Sequence, residues 1–135
     1  MSKPVYVTLV IVALLLSGCG DMVNAKAIAE SQIKTFHQQL SNNDINAILS
    51  SADPSMPKAA GAQLLSTVIR KLGNVTNTRT VGGRTNFFNG RTLVTLVQET
   101  TFAHGKGTET FTYTIKSGKA VLAGYNINSM DLLLK

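Results

Sequence analysis

The hydrophobic period of this chain changes once, near Val75, and that change limits the folds open to it. Upstream, Ala29, Ile33, Phe36 and Leu40 recur at spacings of four, three and four, which is one apolar stripe on a helix. Lys26, Glu30, Lys34 and Gln38 fall away from that stripe. Downstream the period is two: Phe111, Tyr113 and Ile115 alternate with Thr110, Thr112 and Thr114. Helices gathered before a run of strands predict an α+β domain, with the helices on one face of an antiparallel sheet.

The punctuation between these runs sets the elements. Ser41-Asn42-Asn43 ends the first helix with turn-forming residues. Asp44 suits the N-cap of a short second helix that turns Ile45, Ile48 and Leu49 inward. Asp53-Pro54-Ser55-Met56-Pro57 breaks the chain, and Pro57 suits the first position of a third helix. Leu65, Val68, Ile69 and Leu72 form its stripe, and Gly73 suits a left-handed cap. Within the first strand Gly82-Gly83 predicts a bulge or sharp bend. Asn89-Gly90 is a strong hairpin signal and leads into a strand from Arg91 to Phe102. The next turn is expected at His104-Gly105-Lys106-Gly107, with strand three from Thr108 to Lys116. Ser117-Gly118 then turns into strand four, Lys119 to about Asn128. The apolar tail Met130 to Leu134 is expected to pack back. The outcome is a curved four-stranded antiparallel meander wrapped round a long helix, with room for a cone-shaped cavity.

The chain has one cysteine. It follows a short positive segment with Lys3 and a twelve-residue, mostly apolar run from Val5 to Leu16. A membrane-spanning helix needs about twenty apolar residues, so this run has the length of a signal-peptide core. The order Leu16-Ser17-Gly18-Cys19 resembles the lipobox of bacterial lipoproteins. That resemblance implies cleavage before Cys19, lipidation of its thiol and acylation of the new amine. It assigns residues 1–18 to a signal peptide, 19–23 to a lipidated cysteine and short tether, and 24–135 to a single domain. Two acyl chains already anchor stably where one is marginal, so a lipidated Cys19 would hold the chain on the bilayer. Gly20 follows the cysteine and Asp21 comes one step later, which implies an outer-membrane location facing the periplasm. With no second cysteine, no disulfide can form.

Residues 19–135 have the common size of one domain and can bury a core without disulfides. The formal net charge of +6 comes from scattered residues. Without a basic block, a tryptophan or a basic–aromatic motif, a nucleic-acid partner is not expected. A solvated surface or an anionic partner remains.

The element order is similar to the cone-shaped domains of the NTF2-like and cystatin-like superfamily, and to small bacterial lipoproteins built on it. The residues that carry the likeness are Phe36-His-Gln-Gln-Leu40, Asn43-Asp44-Ile45, Leu72-Gly73 and Lys119-Ala-Val-Leu-Ala-Gly-Tyr-Asn-Ile127. The tryptophan common near the start of that family's last strand is missing, with Val121 or Leu122 in its place. The family's enzymes project acids and histidines into the cone. Here His37 lies one step off the helix stripe, where a boundary or exposed position is expected. His104 lies in a glycine-rich turn and is expected in solvent.

A two-residue turn at Gly105-Lys106 would set Phe102 opposite Glu109 and Glu99 opposite Thr112. Val94, Leu96, Phe102, Phe111, Tyr113 and Ile115 then share the core face, with Gln98 and Thr100 as its polar members. Gln98, Thr100, Tyr113 and Tyr125 are the candidate cavity-lining residues, whether they meet a ligand or only line a filled core edge. Glu99 and Glu109 fall on opposite faces, which disfavours a two-carboxylate site. Two isolated histidines and one cysteine are too few for a metal site, and no cofactor is implied. Thr95, Thr101, Thr110, Thr112 and Thr114 form an uncharged face that is either solvated or a flat protein-binding surface. These features favour a non-catalytic binding module for an envelope protein or a toxin, as an immunity factor would be. The alternatives are a small-molecule binder or a small enzyme using the cone. A buried polar pair in the cavity would favour the enzyme, and an open threonine-lined sheet the protein binder.

Overall fold

The computed structural model describes residues 17–134, with side chains from Asn24 onward. The apolar run of the expected signal peptide and Leu16 lie outside the described residues. Helix α1 spans Ser17–Ser41, α2 Ile45–Ser50 and α3 Lys58–Leu72. Strands β1 (Val75–Phe88), β2 (Arg91–Phe102), β3 (Gly105–Lys116) and β4 (Lys119–Asn128) follow, and α4 (Met130–Leu134) closes the chain. The fold is α+β: helices followed by an antiparallel sheet in the order β1-β2-β3-β4 that does not close on itself. Its two edges are β1 and β4.

The stripe Ala29, Ile33, Phe36 and Leu40 is buried, and Ala25 extends it one turn toward the N-terminus. That stripe lays α1 across one face of the sheet, where it touches all four strands. No proline interrupts the helix, so its first turns take in the 19–23 stretch expected to be a tether. Among the described residues no helix is long and apolar enough to cross a membrane. Asn43 takes a left-handed conformation (φ 56°) and ends α1. Asp44 caps α2, its Oδ1 accepting from Ala47 N at 3.3 Å. Pro57 is the N-cap of α3 rather than its first residue, and Gly73, at φ 76°, caps the other end. Leu65, Val68 and Leu72 are buried as expected, while Ile69 is half-buried.

Asn89-Gly90 and Ser117-Gly118 form the expected tight turns, with φ of 50° and 73° in each pair. β1 has two bulges, one at Thr76 and one at Val81, the latter next to the glycine pair, between the pairings Thr80↔Gln98 and Gly82↔Val97. The β2–β3 turn lies earlier than expected, at Ala103-His104, because Phe102 pairs with Gly105. Gly105 and Gly107 are strand residues. A Cβ on Gly105 would lie 2.7 Å from Asp131 Cβ, and one on Gly107 3.1 Å from Ile127 Cδ1. These glycines serve close approach of neighbouring elements rather than a turn. The register therefore differs by four residues from the expected one: Gln98, not Phe102, faces Glu109. An even offset leaves the faces unchanged, so Val94, Leu96, Phe102, Phe111 and Tyr113 are all buried together, with Ile115 half-buried.

At the core centre Phe111 meets Phe36 edge-on (centroids 4.9 Å, 86°) and Tyr125 at 5.1 Å. Such aromatic pairs add about 0.5–1.5 kcal/mol beyond area burial. The loop between α2 and α3 is fastened by Asp53, whose N–H donates to Leu122 O at 2.7 Å and whose Oδ2 accepts from Lys116 Nζ at 2.8 Å. The tail packs back only in part. Leu132 joins the core margin, while Met130, Leu133 and Leu134 stay exposed.

Candidate functional site

Glu109 sits on the core face of β3 and is fully buried. An isolated carboxylate there would be costly, and the sequence supplies partners from three elements. Oε1 accepts from His37 Nε2 of α1 at 2.8 Å and from Thr100 Oγ1 of β2 at 2.6 Å. Oε2 accepts from the Tyr125 hydroxyl of β4 at 2.7 Å. Burial, the adjacent Glu109 charge and this hydrogen bond push the Tyr125 hydroxyl pKa well above its ordinary 10.0. The His37 ring is also held edge-on by Phe36 and Phe111, at centroid distances of 5.7 and 5.8 Å. With Nε2 committed to Glu109, Nδ1 is the ring atom left for other chemistry.

From Thr100 a polar chain runs outward to β1. Thr78 Oγ1 is 2.9 Å from Thr100 Oγ1 and donates to Gln98 Oε1 at 3.1 Å. Gln98 Nε2 donates to Thr80 Oγ1 at 2.7 Å, and Thr80 donates to Glu30 Oε1 of α1 at 3.3 Å. This chain floors an open groove of about 910 Å³ between α1 and β1. Ile33, Lys34 and His37 stand on the helix wall, and residues 75–80 form the strand wall. Side chains of a strand point alternately to opposite faces. These six consecutive residues belong to an edge strand, so the groove runs along the outer edge of β1, where no further strand lies among the described residues. A second hollow of about 670 Å³ continues the groove past Thr80 to Thr85, with Lys26 on its helix side.

The expected cavity residues divide. Gln98 lines the groove, and Thr100 and Tyr125 join it through Glu109. Tyr113 does not belong to this set. It lines a separate cavity of about 60 Å³ with Gln32, Gln39 and Ser51. Its buried hydroxyl has no hydrogen-bond partner among the described residues, and burial followed by the Glu109 charge pushes its pKa up. Cys19 lies in the first turns of α1 and its side chain is outside the described set.

His37 was expected at a boundary or in solvent. It is only 7% exposed, because its ring reaches across to a carboxylate 72 residues away. Glu109 was missed as a site residue, although it shares β3 parity with Phe111 and Tyr113 and so belongs to the core face. His104 is exposed as expected. Glu99 is exposed on the opposite face, paired with Arg79. On the threonine face Thr95, Thr101, Thr110 and Thr112 are half-buried and Thr114 is buried. Among the described residues no group of three His, Cys, Asp or Glu could hold a metal ion. No family model, curated protein or solved structure matches this chain.

Proposed function

We propose that this is a lipid-anchored periplasmic protein whose NTF2-like or cystatin-like domain acts as a non-catalytic binding module. Its partner is an envelope protein or a toxin, which presents an extended segment to the α1–β1 groove. The observation that supports this most is the strand edge itself. A fourteen-residue edge strand with no neighbouring strand on its outer side among the described residues is a template for pairing with another chain, and strand addition at such an edge is a common mode of peptide recognition. The walls carry Lys26, Lys34, Arg79 and Arg84 against Glu30, and Arg79 is paired with Glu99. Lys34 and Arg84 make no ion pair among the described residues, so an acidic segment is the better fit. The lipobox Leu16-Ser17-Gly18-Cys19 supports the anchor and an outer-membrane address.

The test is a photo-crosslinking amino acid placed at Asn77, in the groove, and separately at Thr112, on the open sheet face, in the full chain in its own cells. Asn77 is expected to crosslink to one contiguous peptide of an envelope protein or toxin, and Thr112 to give none. Crosslinks from Thr112 alone would move the binding surface to the threonine face.

One observation favours a second reading, a small enzyme or small-molecule site. The helix wall of the groove carries His37, with a buried carboxylate fixing its ring, which is how a general base is oriented. In that case Glu109→Gln would abolish turnover or ligand affinity while leaving the Asn77 crosslink intact.

A further inference from the structure

Among the described residues one end of the sheet carries exposed aromatic and basic side chains of the kind that meet a bilayer. At the tip of the β1–β2 hairpin Phe87 and Phe88 are 76% and 66% exposed. They lie on opposite faces of the strand, so the tip is apolar on both sides. Arg84 and Arg91 flank them on the same hairpin, and Lys116 and Lys119 bracket the neighbouring β3–β4 turn at the same end. All four cations are exposed. Neither hairpin end, 84–93 or 114–121, contains an Asp or Glu. Asp53 reaches in from the α2–α3 loop to Lys116 alone, which leaves Arg84, Arg91 and Lys119 without an ion pair among the described residues.

The direction of α1 gives this end its meaning. Glu30 accepts from Thr80, the later residues Gln38, Ser41 and Asn42 line the groove beside residues 75–80, and the earlier Lys26 lines the hollow beside Thr80 to Thr85. The helix therefore runs from this end to the far end. Cys19 is eleven residues before Glu30, roughly 16 Å along the axis. That is the rise of about five strand residues, which sets the helix backbone at Cys19 about level with Thr85, on the tip side of the sheet.

We propose that the Phe87–Phe88 tip, with Arg84, Arg91 and Lys119, is a membrane-contact surface that takes anionic phospholipid headgroups and seats two rings at the interface. Exposed aromatics beside basic side chains are the pattern of interfacial binding. The proposal deepens the anchored reading, since a lipid on Cys19 would hold this end down. The tip's own affinity does not depend on that lipid. In this orientation β1 and its groove rise away from the bilayer, accessible to a partner.

The chain has no tryptophan, so Phe87→Trp is a lone reporter. It would be placed in the full chain carrying Cys19→Ala, which cannot be lipidated. A matching chain would carry Thr108→Trp instead, at the exposed far end of β3. Phosphatidylethanolamine–phosphatidylglycerol vesicles are expected to shift the Phe87→Trp emission to the blue, with quenching by brominated acyl chains. Phosphatidylcholine vesicles should give little shift, and the Thr108→Trp reporter none. Replacing Arg84, Arg91 or Lys119 by Ser should lower partitioning about five-fold each. Sedimentation with the vesicles while neither reporter shifts would mean that residues 5–16 hold the chain. It would overturn the tip contact and leave the anchor reading standing. Equal shifts at both positions, or a shift that needs native membranes and fails with pure lipid, would also overturn it, the latter in favour of a protein occupant.

Discussion

The two ends of the sheet are built differently. At the far end the β2–β3 turn is fastened from both sides. Ala103 N donates to Asn74 O at 2.8 Å and His104 N to Leu72 O at 2.9 Å. Asp131 Oδ2 of α4 accepts from Lys106 N at 3.0 Å, and Ser129 Oγ, just before α4, donates to Lys106 O at 2.6 Å. Gly105 makes room for that strap. At the near end Asp53 ties the α2–α3 loop to Leu122 O and to Lys116 Nζ, and the β1–β2 tip holds two exposed phenylalanines. On the proposed reading the two ends have different tasks. The closed end and the Glu109 cluster hold the fold together, while the β1–β2 tip and the β1 edge meet a bilayer and a partner.

Substitutions can break or sharpen that contrast. The largest effect is expected at the centre that both ends share. Phe111→Ala should cost about 3–5 kcal/mol in urea unfolding through the cavity it leaves. Glu109→Gln keeps the shape but replaces an acceptor shared by His37, Thr100 and Tyr125, and about 1–3 kcal/mol should be lost. At the far end Gly105→Ala drives a methyl into Asp131, and overpacking of this kind costs about 1–3 kcal/mol. A melting temperature equal to wild type would show that the strap contributes little.

The near-end tie should appear as a pH effect. Its bond to Lys116, then those from Ser55, hold the Asp53 carboxyl well below its ordinary 3.8. A depressed carboxylate stabilises the fold above its unfolded value, and the contribution is lost as pH falls through the folded value. Acid unfolding of Asp53→Asn should therefore show a shallower decline below about pH 4 than wild type. The smallest effect belongs to the tip. Phe87→Ser with Phe88→Ser should leave stability within about 0.5 kcal/mol, in thermal melts of the lipid-free chain. A larger loss would mean that the rings serve the fold rather than an outside surface.

Much of the architecture was legible because each signal in it is local. The period change at Val75, the Asp44 and Gly73 caps and the Asn89-Gly90 turn are all fixed within a few residues. The β2–β3 register was not. Gly105 and Gly107 look like turn residues, and only α4 and Ile127, packing from later in the chain, explain why they lie in a strand. The even offset spared the face assignment, so Gln98 and Thr100 were placed on the correct side. The Glu109 cluster was beyond reach for a related reason. The position of His37 beside the stripe gives no hint of a partner on β3, and a carboxylate among Phe111 and Tyr113 is intelligible only once four elements converge on it. That β1 is an edge follows from the meander order. That a deep groove lies beside it depends on how far α1 stands off the strand, which local sequence does not encode.

The most direct test of the whole account is the intact mass of the protein extracted from its membranes, beside a Cys19→Ala variant in the same cells. The account predicts a chain that begins at Cys19, carries a diacylglycerol and an added acyl chain, and loses both in the variant. A mass without lipid, or a chain beginning elsewhere, would contradict it. The start of α1 would then be no anchor, and only the tip's own affinity would be left to bring that end of the sheet to a bilayer.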